Sequence, residues 1–243
     1  MQPVHYDELA DLDLHYWWFR VRFNYTSRLL LGAVAKPDLV VDLGCGTGGF
    51  LHYLTRSAGL LPSQVLGIEP DERAASIASK RGLPIRQMAP DDIALAQIPQ
   101  PADVICLLDV LEHIEDAPAA LQQIRKLVRP GGYIIVLVPA LTALWSEWDV
   151  RLGHKRRYSR ATLEAQLIAG GWEPIRSRYL FSAMTIPGLV RAKLINSNSL
   201  SATEFPRVSP LLNRVLTRIF EMETRFPSLP FGTSVAALAR NNR

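Results

Sequence analysis

The string Asp42-Leu43-Gly44-Cys45-Gly46-Thr47-Gly48-Gly49 is the sharpest chemical feature of the chain. Glycines there let the backbone turn tightly and come close to a ligand, and a helix starting behind them presents free amides. Twenty residues past Gly49, Glu69 closes an apolar run, where its carboxylate can accept two hydrogen bonds from a ribose diol. Together these residues describe a nucleoside pocket. Gly44, Gly46 and Gly49 also satisfy GxGxxG, so a dinucleotide has to be weighed. Asp42 speaks against it, because a carboxylate suits an ammonium or a water better than a pyrophosphate, which it would repel.

These residues need a scaffold, and the surrounding pattern supplies one. LVVDLG, VLGIEP, LPIRQM, ADVICLL and GGYIIVLVP are apolar on both faces, as strands of a parallel sheet covered by helices are. Helices are expected over 48–57, 71–80 and 117–129, with Asp71 and Asp116 as caps and Arg129-Pro130-Gly131-Gly132 ending the last. Alternation of strand and helix is the doubly wound α/β arrangement, in which ligands bind beyond the carboxyl ends of the strands. Residues 8–34 are expected to form two helical pieces separated by Tyr16-Trp17-Trp18-Phe19, with Asp7 as a cap. Past Pro139 a helix over 159–169 capped by Ser159, a strand over 172–181, an amphipathic helix over 208–226 and a final strand TSVAALAR are expected. The 208–226 helix would carry Leu211, Leu212, Val215, Leu216, Ile219 and Phe220 on one face. The fold class expected from these elements is α/β, a Rossmann-like doubly wound sheet of seven strands. Its single domain divides into a helical extension over 1–36, a cofactor-binding core over 37–140 and a substrate-side lobe over 141–243.

With 243 residues, 48% hydrophobic and 21% charged, the chain has enough material for one large core and too few polar residues for disorder. Cys45 and Cys106 have no CxxC partner, which argues against a disulfide framework or a cysteine zinc site and for a reducing, cytoplasmic setting. The first residues lack a basic-then-apolar leader, and the longest largely apolar stretch, 133–145, is too short to span a bilayer as a helix. Charge is uneven: residues 1–150 hold 12 Lys and Arg against 18 Asp and Glu, while 151–243 hold 15 against 5. A basic second half points to an anionic partner or to a solvated basic face.

VVDLGCGTG, GIEP, ADVICLLDVLEHIED and VRPGGYIIVLVP, taken in order, resemble the class I S-adenosylmethionine-dependent methyltransferases. HYWWFRVR, LWSEWDVRLGHKRRYSRATLEAQLIAGGW and PFGTSVAALAR resemble one bacterial subgroup of methyltransferases, from which no single acceptor carries over; a small molecule, a glycan or a lipid-linked envelope metabolite is expected. The resemblance implies that the last of the seven strands is antiparallel and that S-adenosylmethionine is the cofactor, with Asp42, Gly44, Cys45 and Gly46 at its methionine end, Glu69 on the ribose hydroxyls and Leu108 near the methionine backbone. The adenine position usually carries an acid in a Gly-Asp pair; here the string is Met88-Ala89-Pro90-Asp91-Asp92, so Asp91 stands in for it.

Methyl transfer from a sulfonium needs alignment and desolvation, and a base only when the acceptor must lose a proton. His113, just past the fourth strand, and His154 are the candidate catalytic bases. Asp109, Glu112 and His113 have a spacing resembling the ExxEH cluster of certain metal-dependent methyltransferases, but Asp replaces the first Glu and no metal is assigned. His154-Lys155-Arg156-Arg157-Tyr158 could clamp a phosphate or carboxylate, so Arg156, Arg157 and Tyr158 are assigned to an anionic acceptor, together with Trp145. The apolar segment 179–190 and the basic helix after it could rest on an anionic membrane or pack on each other. Nicotinamide-dependent oxidoreduction and a noncatalytic cofactor-binding subunit are the competing readings. A nucleic-acid partner ranks low, since no recognition helix or finger pattern is present.

Overall fold

The computed structural model describes residues 5–88, 98–194 and 206–243. The five apolar runs form parallel strands β1 (Val40–Leu43), β2 (Val65–Glu69), β3 (Ile85–Gln87), β4 (Ala102–Leu108) and β5 (Val128–Pro139). With β6 (Glu173–Leu180) and β7 (Ser234–Arg240) they make a seven-stranded sheet in the order β3-β2-β1-β4-β5-β7-β6. β7 runs antiparallel to both of its neighbours, so β6 points the same way as β5. Every residue of β1 and β2 is buried, as expected for strands with both faces covered. Strand order reverses between β1 and β4, which opens a crevice beyond their carboxyl ends.

The helices are α1 (His5–His15), α2 (Trp17–Ala33), α3 (Gly49–Arg56), α4 (Glu72–Lys80), α5 (Ala117–Lys126), α6 (Glu147–Leu152), α7 (Arg160–Ala169), α8 (Thr185–Leu194) and α9 (Pro210–Glu223). Three expected caps are formed: Asp71 accepts from the amides of Arg73 and Ala74, Asp116 from Ala119 and Ser159 from Thr162. Asp7 is not a cap; it lies within α1 and pairs with Arg73 on α4. Nor does Arg129-Pro130-Gly131-Gly132 end a helix. α5 stops at Lys126, and the four residues open β5, where the Gly131 amide donates to Asn241 O and Gly132 O accepts from the Asn241 amide. Gly131 has φ 72° there, so the Pro-Gly turn signal marks a kinked strand start.

The aromatic block departs from expectation as well. Only Tyr16 sits in the break between α1 and α2, and Trp17, Trp18 and Phe19 begin α2. Tyr16, Trp17 and Phe19 are buried and Trp18 is half-buried, because α2 lies between the sheet, α1, α3 and α9 and is covered on more than one side. Trp17 stacks on Phe220 of α9 and meets Phe181 edge-on, so the second and last helices close over one sheet face together. Among the described residues, no helix is long and apolar enough to cross a membrane.

Candidate functional site

The glycine loop joins β1 to α3 through three left-handed residues, Gly44, Gly46 and Gly48, with φ of 73°, 54° and 80°. Amides of Gly44 and Cys45 donate to Ile68 O at 2.8 and 3.1 Å, which stitches the loop to β2. A Cβ on Gly48 would lie 2.9 Å from that of Ala78, while one on Gly46 would meet nothing within 4 Å. Gly46 therefore faces open space at the helix entrance, where a ligand can approach the backbone.

Two carboxylates border that space. Asp42 is 2% exposed, and its Oδ1 has no hydrogen-bond partner; burial, then Glu69, push its pKa well above the usual carboxylate range. Glu69 accepts from the Gly46 amide at 2.7 Å on one oxygen and from the Asp71 amide at 3.0 Å on the other. Burial still raises its pKa, partly offset by those two amides. An acid held in place with lone pairs to spare, beside an orphaned buried acid, suits a ligand that brings its own donors. Leu108 ends β4 half-buried at the same sheet edge. Cys45 is buried with its sulfur packed against Gly67, where a Cβ would sit 2.6 Å from it, while its amide donates to Ile68 O and its carbonyl accepts from the Gly48 amide. Asp91 lies outside the described residues.

Sequence reasoning missed the cover of this crevice. On α1, Asp13 accepts from Thr47 Oγ1 of the loop and from Arg81 at 2.9 and 3.1 Å, while Arg81 also reaches Ala10 O. Tyr6 approaches Glu69 and Asp71, and burial followed by those two charges pushes its pKa up to about 12. No local spacing announces these contacts, because they join residues 34 to 71 positions apart.

A second cluster stands at the tip of β4. Asp109 adopts φ 59°, a left-handed conformation that Asp tolerates better than most residues, and pairs with Arg22 of α2 at 2.5 Å. The Arg22 guanidinium is 3.8 Å from the Trp18 ring centroid and almost wholly buried. Glu112 is fully buried with neither carboxylate oxygen hydrogen-bonded, and burial, then Asp109, drive its pKa well upward. His113 is half-buried; burial and the neighbouring His154 lower its pKa, so it is neutral near pH 7. The two imidazoles meet edge-on at 4.9 Å, and His154 Nδ1 lies 2.9 Å from Asp149 Oδ1. Although burial opposes it, hydrogen bonds from His154 and Arg157 hold the Asp149 carboxyl at about 2. An ionised Asp149 accepts a hydrogen bond from Nδ1–H of His154, which leaves Nε2 toward Glu112, 3.9 Å away. Glu112, His113 and His154 each offer one ligand atom within 4.8 Å of the others, a donor set compatible with a divalent ion.

The expected anion clamp is not assembled. Arg157 grips Asp149 through Nε at 2.8 Å and an η nitrogen at 3.0 Å and donates to Ala140 O, while Tyr158 is buried with its hydroxyl on Leu111 O. Arg156 bonds Glu115 O, and Lys155 pairs with Glu115 at 3.6 Å. These side chains fasten the loop after β5 to the tip of β4. The run faces three acids, Asp149 and Glu112 buried beneath it and Glu115 exposed beside it. Trp145, 36% exposed, follows a 3₁₀ turn beside that loop.

A methyltransferase-domain family model matches residues 18–177, two thirds of the chain, and spans β1 to β6. The chain belongs to that methyltransferase family. A ubiquinone biosynthesis O-methyltransferase of Proteus mirabilis is 30% identical over 116 residues, 47% of this chain and 46% of the relative. One of Stutzerimonas stutzeri is 31% identical over 154 residues, 55% of this chain and 63% of the relative. The chain thus spans between about half and two thirds of the length of these curated relatives. A crystal structure of a SAM-dependent methyltransferase from Archaeoglobus fulgidus superposes with a TM-score of 0.57 at 18% identity, over 91% of this chain and 94% of that one. That likeness bears out the Rossmann-like fold class, and the family model bears out the methyltransferase resemblance.

Proposed function

We propose that this methyltransferase moves a methyl group from S-adenosylmethionine to an oxygen of a small-molecule acceptor. The observation that carries it is the pair of buried acids at the β1 and β2 tips, Asp42 orphaned and Glu69 held by two amides, around the open approach to Gly46. The residues present fit the cofactor: Asp42 would take the ammonium of its methionine end, the Gly44–Gly46 backbone would line it, and Glu69 would accept from the ribose hydroxyls. A pyrophosphate at the same place would face two acids, which disfavours nicotinamide chemistry.

When bound, the cofactor supplies an activated methyl on a sulfonium with a good leaving group. The chain's own residues align the acceptor and manage its proton. His113, neutral because it is buried beside His154, takes the acceptor hydroxyl proton on a free ring nitrogen. His154, oriented by Asp149, holds the face of that imidazole and acts as a positioning residue. Two relatives named O-methyltransferases support oxygen as the attacked atom. The anionic acceptor expected from the basic run loses its support, since Arg157 and Tyr158 are engaged inside the fold.

Isothermal titration with S-adenosylhomocysteine tests the reading: binding is expected, weakened by Asp42→Asn and by Glu69→Gln, and no binding by the folded wild type would refute it. Transfer of labelled methyl to hydroxylated small molecules should survive EDTA. Loss on EDTA with recovery on added Mn²⁺ would instead assign Glu112, His113 and His154 to a metal.

A further inference from the structure

We infer that the outward face of α9, with the turn that follows it, is a docking surface for an anionic lipid bilayer. The six apolar residues expected on one face of this helix divide in the structure. Phe220 is buried and Leu216 half-buried against the rest of the protein, while Leu211, Leu212, Val215, Ile219 and Met222 are 43–72% exposed. At about 100° per residue the five exposed ones form a continuous stripe opposite Thr217 and Phe220, so the helix is apolar both inside and out. Single exposed apolar residues are ordinary, but five in register on one helix are not. The stripe continues past the helix into Phe226 and Leu229, 63% and 52% exposed. Phe231 joins it at Ser182, whose amide donates to Glu223 and whose hydroxyl donates to Phe231 O.

Charge selects the occupant. Arg214 and Arg218 border the stripe on the side of Leu211 and Met222, and Arg207 and Arg225 are exposed at its two ends. Against these four arginines stand Glu221 and Glu223, both half-buried, and Glu223 is engaged by Ser182. An anionic headgroup layer complements the arginines while the stripe enters the acyl boundary, the arrangement of interfacial amphipathic helices. Depth is limited to the stripe, since no described helix can cross a membrane.

Docking would also bring the crevice to the lipid. β6 runs parallel to β5, so Phe181, just past Leu180, lies at the same sheet edge as Asp109. Phe181 stacks on Trp18 and packs against Phe220 of α9, and Trp18 carries Arg22, which pairs with Asp109. The surface itself stands without the transfer chemistry, so its test does not use activity.

Co-sedimentation of the full chain with vesicles tests it, alongside light scattering for mass. Wild type is expected to pellet with phosphatidylglycerol vesicles and not with phosphatidylcholine, and high salt should release it. Ile219→Glu and the double variant Arg214→Glu/Arg218→Glu should each cut the bound fraction by about tenfold or more while keeping wild-type circular dichroism and a cooperative melt. Absence of binding to phosphatidylglycerol, equal binding to both lipids, or binding untouched by Ile219→Glu would overturn the proposal. So would a wild-type dimer that Ile219→Glu converts to monomer, because the stripe would then belong to a second copy.

Discussion

Asp42 is a residue whose cost to the fold only a ligand can offset. A buried carboxyl oxygen without a partner destabilises the protein, yet Asp42 sits buried in β1 beside Glu69. Asp42→Asn should leave the melting temperature unchanged or raise it while weakening S-adenosylhomocysteine binding by about ten- to a hundredfold, the usual worth of a charged hydrogen bond. A melting scan and a titration on one sample check both, and equal loss in both would mean that Asp42 is structural. His113 carries a complementary expectation. His113→Ala should lower the methyl-transfer rate by about a hundredfold or more with cofactor affinity intact. In the wild type the rate should rise with pH through a histidine titration displaced below 6.5, because burial and His154 lower that pKa. A rate–pH curve that keeps its rising limb in the variant would remove His113 as the base.

Elements explain what was legible and what was not. Strands β1 to β5 and the caps Asp71, Asp116 and Ser159 depend on neighbours within a few positions, so pattern and spacing revealed them. The Asp42, Gly46 and Glu69 constellation was legible for the same reason: it sits on two strand ends joined by one helix. The basic run after Gly153 misled because composition shows charge but not the acids folded beneath it, and Asp149 lies buried under Arg157. Helix α9 misled because its six apolar residues span half a turn of the wheel, and only packing decides which part faces in. The α1 cover, built from contacts across 34 or more positions, had no local signal at all. Its latch can be opened. Asp13 and Arg81 are a buried pair, with side chains 4% and 12% exposed, so Asp13→Ala leaves Arg81 and Thr47 uncompensated and should cost about 3 kcal/mol. Hydrogen exchange should then accelerate in α1 and the glycine loop while β4 and β5 stay protected. Uniform acceleration would show that α1 belongs to the global unit and is no separate cover.

Across the whole molecule, acids fall into two sets that pull the stability curve in opposite directions. Asp149 and Asp103 have lowered pKa values despite burial, through His154 and Arg157 in one case and the Leu39 amide and Arg129 in the other. Their contribution is complete above the unfolded value near 4 and is lost as pH falls through the folded one. For Asp149, falling to about 2, this amounts to about 2 kcal/mol. Asp42, Glu69, Asp13 and Glu112 have raised values, chiefly from burial, so the folded state holds protons that the unfolded chain releases. Their sign is reversed: stability declines as pH rises from the unfolded value toward the folded one. The unliganded protein should therefore be most stable in weak acid, with the decline on the alkaline side set by the crevice and the β4 tip. A ligand that brings an ammonium to Asp42 and hydroxyls to Glu69 favours their ionised forms, so binding should release protons and tighten as pH rises. Differential scanning fluorimetry across roughly pH 5 to 8.5, above the ordinary carboxyl values, should show a thermal shift with S-adenosylhomocysteine that grows with pH. Glu112→Gln should flatten the alkaline decline and leave that growth intact, whereas Asp42→Asn should diminish the growth. A ligand shift independent of pH, with no proton release in buffers of differing ionisation enthalpy, would mean that the two strand-tip acids do not meet the cofactor.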